Sequence, residues 1–354
     1  MCSWSRVVVL GISMLLNTFV GTAHRGELQM RHGKSSVTSV CNLPNGKQFI
    51  SASYDGTVIM WDMVSGKPTW QVDLDEKSKS TDSHTISHIL GMDLSPNGDV
   101  VAISYFQNHV VQGTLKGNAN YQIALLDSRT GQVNRILTGH TALIGRVAFS
   151  PDGELLLSES GDSTARLWNV KTGQEVLQIK LKEKGASVAF SPNGKVLAVA
   201  TQPVWGLPPV DTVGLYDSRT GQLVREFPRT KNEVASLAFS PDGQVLAIAS
   251  GDAVGAQIDL WRLTGQDSPL TIALPRRKIK IVRFSPDGQS LALGGYHRAR
   301  GLVEIRDISA NAPVRTFSLQ GEVTALDFTP DGKQLVVGTN EGQISLLSLQ
   351  TPRP

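Results

Sequence analysis

Cysteine is almost absent from this chain. Among 354 residues only Cys2 and Cys41 carry a thiol, which leaves no disulfide framework to hold the fold and no Cys-x-x-Cys pair for zinc or redox chemistry. Cys2 falls in an N-terminal segment set apart below, and Cys41 then stands alone, as a small hydrophobe of a strand. Aromatic residues make up 6% and charged residues 18% of the sequence, and the net charge is only +3. A chain of that kind is neither disordered nor a general polyanion binder. No phosphate-cradling loop ending in Gly-Lys-Ser/Thr and no His-Glu-x-x-His occurs. Beyond residue 23 there is no Asn-x-Ser/Thr acceptor, which suits bacterial export better than a eukaryotic glycoprotein. No apolar run reaches the roughly 20 residues that span a bilayer.

One short turn, by contrast, recurs seven times. Its copies are Leu43-Pro44-Asn45-Gly46, Ser95-Pro96-Asn97-Gly98, Ser150-Pro151-Asp152-Gly153, Ser191-Pro192-Asn193-Gly194, Ser240-Pro241-Asp242-Gly243, Ser285-Pro286-Asp287-Gly288 and Thr329-Pro330-Asp331-Gly332, with steps of 52, 55, 41, 49, 45 and 44 residues. Proline presets φ, Asp or Asn tolerates the bend, and glycine accepts positive φ. An alternating strand precedes each turn, as in Val234-Ala235-Ser236-Leu237-Ala238-Phe239, and a second follows, as in Val196-Leu197-Ala198-Val199-Ala200. A third, such as Ala165-Arg166-Leu167-Trp168, leads to another tight turn, nearly verbatim at Asp127-Ser128-Arg129-Thr130-Gly131-Gln132 and Asp217-Ser218-Arg219-Thr220-Gly221-Gln222. A fourth strand leaves it. Four strands per unit at this period predict an all-β, seven-bladed β-propeller of four-stranded antiparallel blades.

These residues resemble the WD-repeat propeller family over roughly residues 26–349, most closely in the third unit. There Gly139-His140 precedes the first strand, and Ser158, Asp162 and Trp168 follow at the family's spacing. The resemblance implies that His140, Ser158, Asp162 and Trp168 form a hydrogen-bonded tetrad. The tryptophan position is held by Leu126, Tyr216, Arg306 and Leu347 in units two, four, six and seven. The Gly-His pair is missing from units four to seven, and His32 and His84 stand one residue out of register. The tetrad is therefore expected complete once and partial elsewhere. The resemblance also implies a non-catalytic scaffold that binds a protein or peptide.

The ends of the chain carry their own expectations. The seventh unit has no fourth strand after Leu349, whereas Gly26-Glu27-Leu28-Gln29-Met30-Arg31 reads as one; it is expected to complete the last blade and so remove the open edges. Residues 1–23, with Arg6, an apolar run at 7–16 and Gly21-Thr22-Ala23, read as a signal peptide for export to the periplasm or beyond, with an N-terminal membrane anchor as the alternative. Residues 24–351 would form the propeller, a monomeric ring, and 352–354 a tail.

Candidate functional residues cluster on one face. In an antiparallel blade the first-to-second and third-to-fourth turns share one face, while the second-to-third loops and the interblade links share the other. Insertions fall in the second set, at 73–88, 105–122, 202–212, 251–257 and 296–302, and function favours loops held by a rigid frame. Basic residues gather there: Arg276, Arg277, Lys278 and Lys280 lead into unit six, with Arg298 and Arg300 in its loop. They suit an acidic protein or peptide partner, a polysaccharide or a phosphate group, and Trp205, on a proline-rich loop, suits a partner anchor. Export argues against nucleic acid. Asp82, His84 and His88 are the one metal-like cluster, with His84 and His88 on one face if the segment is helical; no cofactor is called for. The alternative reading is an exported propeller enzyme, or a small-molecule or carbohydrate binder, acting at the channel mouth through residues such as Tyr105, His109, Tyr296 and His297.

Overall fold

A computed structural model describes residues 28–75, 83–111, 114–202, 212–228, 232–252, 254–264 and 268–350. These residues form seven four-stranded antiparallel sheets, and each first strand packs against the first strands of both neighbouring blades. The result is a closed ring around a central channel: a seven-bladed propeller. Among the described residues no helix is long and apolar enough to cross a membrane.

Local chemistry explains why the units repeat. In the Ser150 turn the serine hydroxyl donates to Asp152 Oδ1 and accepts from Leu155 N at 2.9 Å, while Asp152 Oδ1 also takes Glu154 N at 3.0 Å. The hydroxyl and carboxylate thus satisfy the donors that a tight turn leaves over. Those hydrogen bonds hold the Asp152 carboxyl below its ordinary range. The same pattern recurs at Ser240, Ser285 and Thr329. The turn glycines have φ between 63° at Gly46 and 78° at Gly98. Each lies against the turn proline of the preceding blade, Gly46 of blade one against Pro330 of blade seven included, so the turns interlock around one rim of the channel.

Blade seven is closed by the N-terminal strand. Leu28–Arg31 runs antiparallel to Gln343–Ser348, with Leu28 opposite Leu346, Met30 opposite Ile344 and Arg31 opposite Gln343. Met30 is buried with Phe49, Trp61 and Leu346 in the core between blades seven and one. Residues 1–27 lie outside the described part, and with them the expected signal segment.

Three of the expected insertion loops take another form. In blade two the strands Ser83–Leu94, Val100–Val111 and Thr114–Asp127 are 12, 12 and 14 residues long, against 6, 6 and 6 for Ile144–Phe149, Leu155–Ser160 and Thr164–Asn169 in blade three. Most of what reads as loop at 73–88 and 105–122 is therefore a three-stranded arm. Six to eight extra residues per strand carry it about 20 Å or more beyond the ring, on the face of the interblade links. In blade six the expected loop at 296–302 shrinks to a hairpin between Ser290–His297 and Arg300–Asp307, turning through Arg298 and Ala299 at φ 50° and 63°.

Candidate partner-docking face

The tetrad of blade three is a continuous hydrogen-bonded chain. Trp168 Nε1 donates to Ser158 Oγ at 2.9 Å, Ser158 Oγ and His140 Nε2 lie 2.8 Å apart, and His140 Nδ1 and Asp162 Oδ2 also 2.8 Å. For a neutral imidazole the proton order runs from indole to serine, serine to imidazole and imidazole to carboxylate. Burial raises the Asp162 pKa, but hydrogen bonds from His140, Thr164 and the Thr141 amide outweigh it and hold the carboxyl well below its usual range. Glycine suits position 139 because φ 150° is a conformation that side-chain-bearing residues rarely adopt, and a Cβ there would also press on Arg166 Nη1 and the Trp168 ring.

The expectation of a single complete network is corrected by blade one. His32, one residue out of register, still reaches its serine: His32 Nδ1 is 2.6 Å from Ser51 Oγ, which accepts from Trp61 Nε1 at 2.7 Å. His32 Nε2 contacts Thr57 Oγ1 at 2.8 Å, and Thr57 in turn donates to Asp55 at 2.5 Å. The imidazole presents its nitrogens the other way round, and a threonine hydroxyl lengthens the relay by one step. Burial, only partly offset by Asp55, lowers the His32 pKa to about 4, so the ring stays neutral.

Other blades replace the network outright. In blade five Ile248 stands where blade three has Ser158, and Phe227 packs on Trp261 with ring centroids 5.1 Å apart. Arg225 lies 4.9 Å over the Phe227 ring and 5.6 Å over Trp261, a cation–π stack in place of the hydrogen bonds. In blade six Arg306 takes the tryptophan position and binds Glu304, which also binds Arg277. Glu304 is buried, and the two guanidiniums supply the pairing that a buried carboxylate needs.

This geometry divides the basic candidates. Arg276, Arg298 and Arg300 are exposed on the link side of blade six. Arg277 is occupied by Glu304 and belongs to the blade's interior chemistry. Lys278 and Lys280 are half-buried and line a channel-mouth cavity of about 380 Å³, together with Leu90, Arg146, Ala186, Gln202, Glu233 and Thr324. A bulge in each first strand shapes this mouth; those at Thr38, Ala235, Lys280 and Thr324 each insert one residue opposite the second strand.

The remaining candidates fall elsewhere. Trp205 and Asp82 lie outside the described residues, as does the side chain of His84. His88 sits in a strand, not a helix; its Nδ1 lies 3.0 Å from the Tyr54 carbonyl and its ring packs between Tyr54 and Phe106. No group of three metal-ligating side chains occurs among the described residues. Tyr105 is buried in blade two, its hydroxyl 2.8 Å from Gln122 Oε1, and His109 is exposed on the arm. Neither they nor Tyr296 and His297 line the mouth cavity.

Charged residues of the channel wall go unnoticed until the units are aligned on their turn prolines. Five positions before the proline, Arg146 stands where other units have Ser39, Gly91, Ser187 or Ser236; three positions before it come Asp93, Arg283 and Asp327 against Ala148, Ala189 and Ala238. Glu159, in the second strand of blade three, occupies a column held otherwise by residues such as Ala52, Ser104 and Gly338. Its carboxylate is buried, accepts Arg146 N at 2.7 Å, and fits because Gly145 and Gly185 flank it without side chains.

Desolvation raises the Glu159 pKa from 4.5 to about 7, against the pull of the Arg146 amide and guanidinium. A group whose pKa rises on folding favours the native state below its unfolded pKa, and that contribution is lost as pH rises through the folded value. Glu159→Gln should therefore leave stability nearly unchanged at pH 4.5 and raise it at pH 8, by on the order of 2–3 kcal/mol. Denaturant midpoints of the two proteins at both pH values measure this; an equal gap at the two would contradict it.

Comparison with known proteins agrees with this division among blades. The family described as WD domain, G-beta repeat matches residues 26–62 and 131–169, the stretches that contain the two complete His–Ser–Trp networks. The family described as Eukaryotic translation initiation factor eIF2A matches residues 215–344. The chain is similar to Periodic tryptophan protein 2 of Arabidopsis thaliana, 32% identical over 168 residues, which cover 47% of this chain and 16% of that protein. It is similar to the Guanine nucleotide-binding protein subunit beta of Zea mays, 30% identical over 152 residues, 42% of this chain and 35% of the relative. Transcription initiation factor TFIID subunit 5 of Drosophila melanogaster is 49% identical over 57 residues, 16% and 8% of the two chains. The matches thus span a minority of each relative's length.

Proposed function

From a chain that is a seven-bladed WD-repeat propeller, we propose a non-catalytic scaffold that docks a protein or peptide partner on the face of the interblade links and second-to-third turns. The observation that carries this reading is the asymmetry of the two faces. One is a rim of interlocked tight turns. The other carries the blade-two arm, the exposed Arg276, Arg298 and Arg300, and the cavity lined by Lys278 and Lys280. A rigid ring holds these features in fixed relation, and that lowers the ordering cost of binding. The names of the matched relatives, a G-protein subunit and a subunit of a transcription initiation factor among them, describe members of assemblies. The basic edge favours an acidic partner surface and speeds encounter at low salt.

Affinity capture from the native host tests the face. Arg276→Glu combined with Arg298→Glu and Arg300→Glu should lose the partner that the wild type captures, and wild-type capture should weaken as salt rises, since exposed charges are screened within about 8 Å at physiological ionic strength. Arg219→Glu, in a tight turn of the opposite face, is the matched control and should retain the partner. Loss with Arg219→Glu and retention with the triple variant would reverse the assignment. Arg277 is left out, because its reversal would set a second carboxylate beside Glu304.

Export is part of the same proposal and rests on residues 1–23 alone. In a bacterial secretion host the mature chain should begin at His24 and appear outside the cytoplasm as a monomeric ring. N-terminal sequencing that returns the intact chain from the cytoplasm would contradict it.

A further inference from the structure

The channel is walled by charges of both signs, and its carboxylates are better satisfied by hydrogen bonds than its cations. Asp93 accepts Phe149 N at 2.7 Å, and Asp327 accepts Asn42 N at 2.8 Å and Asn42 Nδ2 at 3.1 Å, so each carboxylate caps an amide of the next blade. Glu233, at the mouth, accepts from Gln202 Nε2 at 2.9 Å. The cations differ. Arg283 donates to the carbonyl of Val282 at 3.1 Å, and among the described residues neither it, Arg146 nor Lys280 makes an ion pair. Arg146 comes from blade three, Lys280 and Arg283 from blade six, on opposite sides of a seven-bladed ring. Arg146 lines both the mouth cavity of about 380 Å³ and the deeper one of about 390 Å³ that holds Arg283. Desolvation, together with the repulsion of Arg283, lowers the Arg146 pKa to about 10, and the attraction of the buried Glu159 offsets this only in part.

The geometry points to a receptor for one acidic side chain, aspartate or glutamate, carried on an extended partner peptide laid across the channel mouth and inserted between Arg146 and Lys280. It rests on the docking-face reading above and adds the chemistry of the anchor. A carboxylate entering from the link side meets Lys280 first and Arg146 behind it. A guanidinium offers paired N–H donors to a carboxylate, and charge-assisted hydrogen bonds in a partly desolvated site are the strong ones.

The probe is a library of displayed random dodecapeptides selected against the full chain. Enriched peptides should share one Asp or Glu. Changing that residue to Asn or Gln should weaken binding at least about tenfold, and Lys280→Glu in the propeller should do the same. Arg219→Glu on the opposite face should leave binding unchanged. Lys280 is half-exposed and makes no ion pair among the described residues, so its replacement leaves the ring folded, as thermal melting would verify. Peptides that need Lys278 and the blade-six edge but carry no essential acid would overturn the acidic anchor while keeping the docking face. Peptides indifferent to Lys280→Glu but lost with Arg219→Glu would overturn both. Failure to enrich any peptide, or free glutarate competing as strongly as the peptide itself, would also overturn the inference, the latter in favour of a small-molecule site.

Discussion

Trp168→Ala should lower the stability of the ring by about 3–5 kcal/mol. The indole is buried in the core between blades two and three with Leu137, Ile144 and Leu156, so its removal opens a cavity. The change also leaves Ser158 Oγ without the N–H it accepts, so that only His140 Nε2 remains as its partner in the network. Asp162→Ala should cost less, roughly 1–3 kcal/mol, because it removes the acceptor of His140, Thr141 N and Thr164 N but opens a far smaller cavity than loss of the indole. Trp261→Ala in blade five should resemble Trp168→Ala in size but without the hydrogen-bond component, since Trp261 packs on Phe227 and beneath Arg225. Urea midpoints for the three variants provide the check. Near-zero losses for both Trp168 and Asp162 would mean that the tetrad contributes nothing to the fold.

Opening the ring should have an effect of similar size and a different outcome. A chain that lacks everything through Arg31 keeps His32 for the blade-one network but loses the strand opposite Gln343–Ser348. It forfeits the burial of Met30 and the ladder of a four-residue strand, together about 3–6 kcal/mol. The exposed edge, with Ile344 and Leu346 behind it, then offers unpaired amides and carbonyls to another chain. The shortened protein should melt lower and self-associate with rising concentration, measured by calorimetry and sedimentation. Met30→Asp in the full-length chain gives the stability effect alone. A shortened ring that stays monomeric and melts with the full-length protein would show that the Pro–Gly contacts between neighbouring turns close the ring unaided.

The sequence discloses the architecture because the code for it is local. Each turn of the Pro-Asp/Asn-Gly type makes its hydrogen bonds within five residues, so seven nearly equal copies announce seven blades without reference to anything distant. The blade-three tetrad is legible for the same reason, and the closing strand because Gly26–Arg31 imitates the fourth strand at Gly221–Glu226. What remained hidden depends on joint replacement across the chain. Arg306 looks like a vacancy in the tryptophan column until Glu304 and Arg277, the latter 27 residues from Glu304, are seen around it. His32 looks misplaced because register along the chain does not show that its ring can turn over and reach Thr57. The arm at 105–122 reads as loop because its sequence lacks the alternating apolar pattern that marks a core strand, while strand pairing satisfies the backbone without it. Arg146 and Glu159 emerge only when the units are stacked column by column.

The face assignment is the claim on which the functional reading turns, and hydrogen exchange of the propeller with its captured partner addresses it most directly. Binding should slow amide exchange in the blade-two arm, in the hairpin through Arg298 and Ala299, and in the segment from Arg276 to Lys280, while the turns at Asp127–Gln132 and Asp217–Gln222 exchange as in the free ring. Protection confined to those turns, with the arm and the blade-six edge unchanged, would contradict it.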